Sequence, residues 1–451
     1  MQSQKFVLGL LLGGIFLGGS LVGCADQVGT TTTETTQAVS SDHVSDAVIL
    51  QWNQIAVTTI GAKPPFPSTR FMAITQLAVF EAVNACTRKY EPYLGTVTAP
   101  DGASPEAAAI AAAHDTLKAL FPAAAANLDT QEAISLAALP DSQAKTDGIA
   151  VGQAAAVAMI ANRTGDGSTP PAFFVPPNSN PGIWQTTPSC SPSGGAFFHW
   201  QNVKPFGVDS ASQFRADAPP TLPSRAYAAG YNESQAVGDI NSANRPQDRT
   251  DVAKVYAAQP PHVGWNSMAR QLAGERHDNI SRTARIFALM NMSLSDGHVT
   301  VFESKYYYNL WRPETAIPRG AEDNNARTTA SAYQPLIVTP CFPSYPAAHG
   351  IGAGTASQVL RHFYGNGDHN LTNSTPNVPG VVLTYTKIED IVKDVSDARV
   401  FGGIHFRYDL DEAEKMGRKI GRFNIQHWLE RDHGHSQDYG NDEDDGEDGE
   451  D

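Results

Sequence analysis

Apolar positions recur every three or four residues along most of this chain, and strict alternation is scarce, so the pattern predicts helices far more than strands. AVILQWNQIAVTTI, beginning at Ala47, shows the helical period, and Pro64, Pro65 and Pro67 then interrupt it. Residues 70–86, RFMAITQLAVFEAVNAC, repeat it strongly. Ser104-Pro105-Glu106-Ala107 has the composition of a helix entrance and opens an Ala-rich run. Another helical run starts near Ala144 and ends at Gly165 and Gly167. Small alanines at this spacing predict helices that approach closely. Residues 167–229 break the pattern with Pro, Ser, Gly and scattered aromatics. They are too long for a bare linker and are expected to form an ordered surface excursion, over an active site if one lies beneath. Helices resume in SRAYAAGYNESQAVG and are expected at 264–274, 280–295, 297–310, 350–364, 386–397 and 409–429. The fold class that follows is all-α, with long irregular connections.

Composition changes this picture mainly at the two ends. The 451 residues are 41% hydrophobic and 9% aromatic, enough for a substantial core. The formal charge of −15 argues against a general nucleic-acid binder and leaves room for a local basic pocket. Residues 441–451, NDEDDGEDGED, hold eight acids and no base, so without them −15 becomes −7. Such a tail, taken as 437–451, is expected to be solvated and disordered. At the other end Lys5 precedes FVLGLLLGGIFLGGSLVGC, which is too glycine-rich and too early for a membrane span and reads as an export signal over 1–23. Leu21-Val22-Gly23-Cys24 resembles the lipobox of bacterial lipoproteins. That resemblance implies lipid on Cys24 and a protein anchored at the periplasmic or cell-surface face of a bacterial membrane without spanning it. Residues 24–45 then read as a flexible, Thr-rich tether, and 46–436 as one large helical domain. Cys86, Cys190 and Cys341 remain, and an oxidising compartment allows one disulfide among them. The sequence does not choose the pair.

Three stretches in the C-terminal half carry the candidate chemistry. In SKYYYNLWRPE, Lys305 and Arg312 stand seven apart, which on a helix puts both cations on one face before Pro313 limits it. Arginine offers a planar fork for two oxygens, lysine a mobile point charge. In DARVFGGIHFRYD, Gly402 and Gly403 allow a close bend between Arg399 and His405. Asp409, four residues after His405, can orient its ring and raise the basicity of the other nitrogen. In CFPSYPAAHG, Pro343 and Pro346 stiffen the approach to His349, and the helical run after it puts His349 at a helix N-terminus, where anions bind. Each stretch alone also suits a structural role. Together, three cations and two histidines among glycines, prolines and aromatics suit a compact tetrahedral oxyanion.

The three stretches resemble the superfamily of vanadium-dependent haloperoxidases and type 2 phosphatidic acid phosphatases, closest to the bacterial haloperoxidase-like branch, over roughly residues 264–425. The family pattern is Lys, six residues, Arg-Pro; then Pro-Ser-Gly-His; then Ser-Arg, five residues, His, three residues, Asp. It stands here as Lys305…Arg312-Pro313, Pro346-Ala347-Ala348-His349 and Ala398-Arg399…His405…Asp409. The resemblance implies an all-helical haloperoxidase-type bundle. It gives His405 the role of axial vanadium ligand and His349 that of acid–base group. Lys305, Arg312, Arg399 and the Ala348 amide would hold the equatorial oxygens, with Lys305 and Asp409 assisting. The implied cofactor is vanadate, whose site phosphate can also take, and the implied substrates are hydrogen peroxide and a halide or organic acceptor. A homodimer is one implied assembly. The same constellation serves an acid phosphatase working on phosphate esters through a phospho-histidine, because vanadate and the phosphoryl-transfer transition state share a trigonal-bipyramidal shape.

Two departures from the pattern bear on this. Ala347-Ala348 stands for Ser-Gly and Ala398 for Ser, so two hydroxyls are gone. One lost hydrogen bond to an anion costs about 1.5–3 kcal/mol where nothing replaces it, and Ser344 is the nearest candidate replacement. The departures keep a third reading open, a non-catalytic envelope lipoprotein. By the resemblance Phe342 falls where the haloperoxidases vary with halide choice and Phe302 where the fungal chloroperoxidases carry tryptophan, and both suit a plain core equally well. Asp296 and His298 are candidates for the site's mouth or for a helix cap.

Overall fold

The helical pattern is realised from the first described element onward. The computed structural model describes residues 44–432 other than Ala62. The expected export signal, Cys24 with the lipid expected on it, nearly all of the expected tether and the acidic tail lie outside the described residues. Val44 and Ser45, at the end of the expected tether, already pair with the chain at Asn279 and Ile280.

The N-terminal half supplies α1 (Ala47–Ile60), α2 (Pro65–Thr87), α3 (Pro105–Leu120), α4 (Ala125–Ala137) and α5 (Gln143–Asn162). Pro65 and Pro67 lie in the first turn of α2, where a missing N–H costs nothing, so these prolines open a helix rather than only closing one. Ser104 caps α3 by accepting from the Ala107 amide. The alanines of α3 from Ala107 to Ala113 are all buried, and α3 packs on both α2 and α5 as their small size predicts. The pattern left α4 unassigned, because few of its residues are buried.

Residues 167–224 hold little regular structure beyond a short 3-10 turn at Phe198–Asn202, and the last residues of the expected excursion already belong to a helix that starts at Arg225. They are nevertheless ordered, anchored by Trp184 and Trp200, which are fully buried. A disulfide joins Cys190 of this excursion to Cys341, and Cys86 is the free thiol among the described residues. After α6 (Arg225–Val237) come α7 (Gln247–Ala258) and α8 (Pro261–Arg276); the sequence reading did not place α7.

The central element is α9 (Ile280–Tyr308), a single helix of 29 residues. The two expected helices at 280–295 and 297–310 are therefore one. Gly297 does not break it, because the helix is buried there and Gly297 faces Thr355 and Ile351. The helix ends where Asn309 turns left-handed at φ 50°. Arg312 thus lies outside α9, just before the one-turn α10 (Pro313–Ala316), and the expected shared helical face with Lys305 does not exist.

The remaining elements are α11 (Ala348–Tyr364), a hairpin of β1 (Leu371–Ser374) and β2 (Val382–Tyr385), α12 (Ile388–Phe401) and α13 (Arg407–His427). The strands pair antiparallel, Leu371 opposite Tyr385. Helix α11 packs closely on α13: a Cβ on Gly354 would stand 2.5 Å from the Glu414 carbonyl. This seam brings the first turns of α11 and α13 together, with the Ala347 amide donating to the Asp409 carbonyl at 2.9 Å.

Candidate active site

All predicted site residues converge where α9, the 341–347 turn, α11, α12 and the start of α13 meet. Lys305, Arg312, Arg399, His405 and Asp409 are at most 4% exposed. An apolar shell including Phe302, Phe342, Ile351 and Leu410 surrounds them.

Lys305 comes from the last turns of α9. Its Nζ donates to the carbonyls of Pro343 and Ser344, both at 2.8 Å. Arg312 reaches the same turn from the other side. Its Nε donates to the Phe342 carbonyl at 2.9 Å, and its Nη1 to the Ile404 carbonyl at 2.8 Å. The two cations meet through the 342–344 carbonyls rather than through helical spacing. Phe342 lies beneath both, its ring centre 5.1 Å from each cation. Phe302 is fully buried and stands edge-on to Phe342. Arg399 enters from the last turn of α12.

Gly403, at φ 81° and hard against Gly238, turns the chain out of α12 toward His405. A side chain there would meet both that strain and the Gly238 carbonyl, 2.3 Å from a Cβ. His405 is held at both nitrogens. Nδ1 lies 2.8 Å from Asp409 Oδ2, and Nε2 lies 2.8 Å from Arg312 Nη1. A guanidinium can only donate, so Nε2 carries the lone pair and Nδ1–H donates to Asp409. The ring therefore presents the nitrogen that a ligand or nucleophile needs. Asp409 also receives the Ser344 hydroxyl at 2.5 Å and the Phe406 amide at 3.2 Å, the latter fixing the entry to α13. Ser344 so reaches the site, as a holder of Asp409.

His349 stands on the opposite side, at the second position of α11. That helix opens without a side-chain cap, because Ala347 occupies the cap position, and a helix N-terminus of this kind suits an anion. No side chain among the described residues hydrogen-bonds the His349 ring, and it alone of the site's charged or titratable side chains is partly exposed.

Burial governs the titration of the site. It pushes Lys305 well below its ordinary value, with Arg312 and Arg399 adding to the push. It lowers Arg312 to about 9 and Arg399 to about 10. Both histidines are held well below 6.5, first by burial and then by the surrounding cations. Burial raises Asp409 to about 6, against the opposing pull of Ser344, Lys305 and Arg312.

Asp296 and His298 take no part in the mouth of the site. Asp296 accepts the amides of Phe206, Gly207 and Val208 and so ties down the excursion. His298 is fully buried and pairs its Nδ1 with the Thr69 hydroxyl at 2.9 Å.

Three buried cations face one buried carboxylate. Arg312 Nη2 and Arg399 Nε and Nη1 have no hydrogen-bond partner among the described residues. Uncompensated buried charge costs several kcal/mol, and an oxyanion with several oxygens would meet these donors together with the α11 amides. The residues present therefore fit vanadate, and equally phosphate.

The fold is that of the vanadium haloperoxidase helical bundle. Residues 285–432, which contain every predicted site residue, match the family described as the VCPO second helical-bundle domain. The chain is 22% identical over 286 residues to vanadium chloroperoxidase from Curvularia inaequalis, a match covering 49% of this chain and 46% of that protein. It thus spans about half the length of that curated relative. Among solved structures it is similar to the first bacterial vanadium-dependent iodoperoxidase, with a TM-score of 0.74 and 22% identity over 86% of this chain and 97% of that one. A holo-type bacterial vanadium-dependent chloroperoxidase gives a TM-score of 0.65 and 16% identity over 82% and 93%. Those likenesses show the fold.

Proposed function

We propose that this protein is a vanadium-dependent haloperoxidase that oxidises a halide with hydrogen peroxide at vanadate held by His405. The observation that carries the reading is His405 Nε2, kept unprotonated by Asp409 on the other ring nitrogen and accepting from Arg312 within a cage of three buried cations. Vanadate bound there would supply a Lewis-acid centre that activates peroxide toward the halide. Arg312, Arg399, Lys305 and the α11 amides hold the oxygens and balance their charge. Asp409 keeps the His405 tautomer, and Ser344 keeps Asp409. His349 is neutral at its ring and so takes up a proton on entry of peroxide and returns it to the departing oxygen. The buried apolar shell excludes water and strengthens each of these interactions.

An exported, lipid-anchored protein is part of this proposal. The Cys190–Cys341 disulfide supports an oxidising compartment. No described helix is long and apolar enough to cross a membrane.

The test titrates orthovanadate into phosphate-free protein while bromide-dependent halogenation with hydrogen peroxide is followed. Phosphate-ester hydrolysis and a His405→Ala variant run in parallel. Vanadate-dependent halogenation that disappears in the variant is the expected result. Ester hydrolysis inhibited by vanadate, with no halogenation, would replace the reading with the phosphatase one. Silence of the folded protein in both assays would leave only an oxyanion-binding protein.

A further inference from the structure

His298 is a buried imidazole that the proposed reaction leaves unused. It stands on α9, seven residues before Lys305, and is fully buried. Its Nδ1 lies 2.9 Å from the Thr69 hydroxyl oxygen, and its Nε2 has no hydrogen-bond partner among the described residues. Thr69 sets the tautomer. Its hydroxyl has one proton, which it donates to the Phe66 carbonyl at 3.0 Å. Thr69 Oγ1 is then an acceptor, so His298 Nδ1–H donates to it and Nε2 holds a lone pair. A buried acceptor without a donor is costly, and buried polar groups are rarely left so. This one faces the first turns of α11, where a Cβ on Gly352 would stand 3.5 Å from Nε2. His349 lies three residues before Gly352, on the adjoining turn.

His349 has the complementary need. It takes up a proton in the proposed reaction, and an imidazolium has two N–H donors. One meets the oxygens of the cage; the other needs an acceptor. Arg399, His298, Lys305 and Arg312 bear on the ring. The three cations donate only, and each opposes a further positive charge beside it. His405, which also senses His349, already spends its lone pair on Arg312. Of these neighbours His298 alone offers a free lone pair. Burial lowers His298 to about 3, so the ring is neutral and stays an acceptor. The other titratable group beside it is His262 of α8, which burial lowers to about 4.

We infer that His298 is the positioning residue of His349: its Nε2 accepts the N–H that His349 turns away from the cage, directly or across one water. The bare nitrogen of His349 is thereby turned to the cage. The proton taken up and returned in the reaction sits on that cage-facing nitrogen. No proton passes to His298, and the balance of the reaction is unchanged. The hydrogen bond is stronger when His349 is charged, so it favours proton uptake among three cations. A carboxylate in this place would hold the proton more firmly than a neutral imidazole does, and so hinder its return. The inference rests on the proposed function only in requiring His349 to carry a proton, which the haloperoxidase and phosphatase readings share.

Two variants separate the lone pair from the packing. His298→Asn keeps a donor for Thr69 and removes the acceptor at Nε2. His298→Gln brings an amide oxygen to about the Nε2 position. In the vanadate-loaded full chain, His298→Asn is expected to lower kcat for halogenation about 10- to 100-fold. KM for peroxide and orthovanadate affinity should stay within a few-fold, and His298→Gln should recover most of the loss. Equal loss in both variants, a parallel loss of vanadate affinity, or unchanged kcat in His298→Asn would overturn the inference. Nitrogen-15 NMR of the histidine-labelled full chain, loaded with inorganic phosphate, reads the tautomer without turnover. The expected state of His298 is a protonated Nδ1 and a bare Nε2. The reverse tautomer, with Nε2–H turned to the Ala348 backbone beside the ring, would overturn it equally. Absence of halogenation, with the same kcat pattern in phosphate-ester hydrolysis, would remove the peroxidase reading and keep the histidine pair. In a chain silent in both assays the tautomer decides alone.

Discussion

The two histidines of the site sit in opposite surroundings. His405 is sealed, with Asp409 on one nitrogen, Arg312 on the other and Ser344 behind the carboxylate. His349 has no side-chain hydrogen-bond partner among the described residues and is partly exposed. The same imidazole is thereby given two tasks. A ring clamped at both ends cannot turn or exchange its proton cheaply, which suits a ligand or nucleophile. A neutral ring free to move, next to the opening, suits proton transfer with small molecules that come and go. Position along the chain says nothing of this; the neighbours do.

The comparison breaks most severely at His405. His405→Ala is expected to abolish orthovanadate binding and halogenation together, a loss of at least about 10³-fold in activity. Calorimetry beside the peroxide assay reads both. His349→Ala is expected to lower turnover by roughly 10²–10³ while vanadate affinity stays within a few-fold. If that variant lost vanadate affinity as His405→Ala does, the division of labour between the two rings would be wrong.

A smaller effect sharpens the contrast from the sealed side. Asp409→Asn removes the carboxylate that fixes the His405 tautomer and is expected to weaken vanadate binding about 10- to 100-fold. Ser344→Ala leaves Asp409 in place without its hydroxyl and should weaken it less. Combining the two should add little to Asp409→Asn alone, because Ser344 acts through the carboxylate. Full additivity would mean that Ser344 touches the anion directly.

Much of this was legible in the chain, and the failures have physical causes. The helical period located α1, α2, α3, α5 and α6, because each buries a broad apolar stripe. It missed α4 and α7, whose buried residues are few, and the β1–β2 hairpin, whose strands are only four residues long. Gly297 looked like a helix boundary and is instead a contact with α11. Lys305 and Arg312 were the right residues for a wrong reason. Their spacing suggests one helix face, yet Asn309 ends α9 between them, and backbone carbonyls of a distant turn bring them together. Carbonyl ligands of that sort carry no side-chain signature. The disulfide was undecidable among three cysteines for the same reason: the 167–229 excursion has no periodicity to say where it returns.

That excursion gives the last and smallest prediction. Cys190–Cys341 joins residues 151 apart in sequence, and the bond enters the site's turn immediately before Phe342. Two hydrogen bonds reinforce it: the Ala196 amide donates to the Cys341 carbonyl at 2.7 Å, and the Ser189 hydroxyl donates to the Thr339 carbonyl at 2.7 Å. The carbonyls of Phe342, Pro343 and Ser344 that hold Lys305 and Arg312 follow directly. A crosslink placed there steadies the cations without touching them. Replacing both cysteines by serine should cost about 2–4 kcal/mol of stability, as loss of a native crosslink does. That cost alone would not distinguish a staple of the fold from a support of the site. Vanadate affinity measured well below the melting transition does. A fall of about fivefold, close to 1 kcal/mol, is expected if the turn loosens. Unchanged affinity in a less stable protein would show that the carbonyl turn is held by its own hydrogen bonds and that the crosslink serves the fold alone.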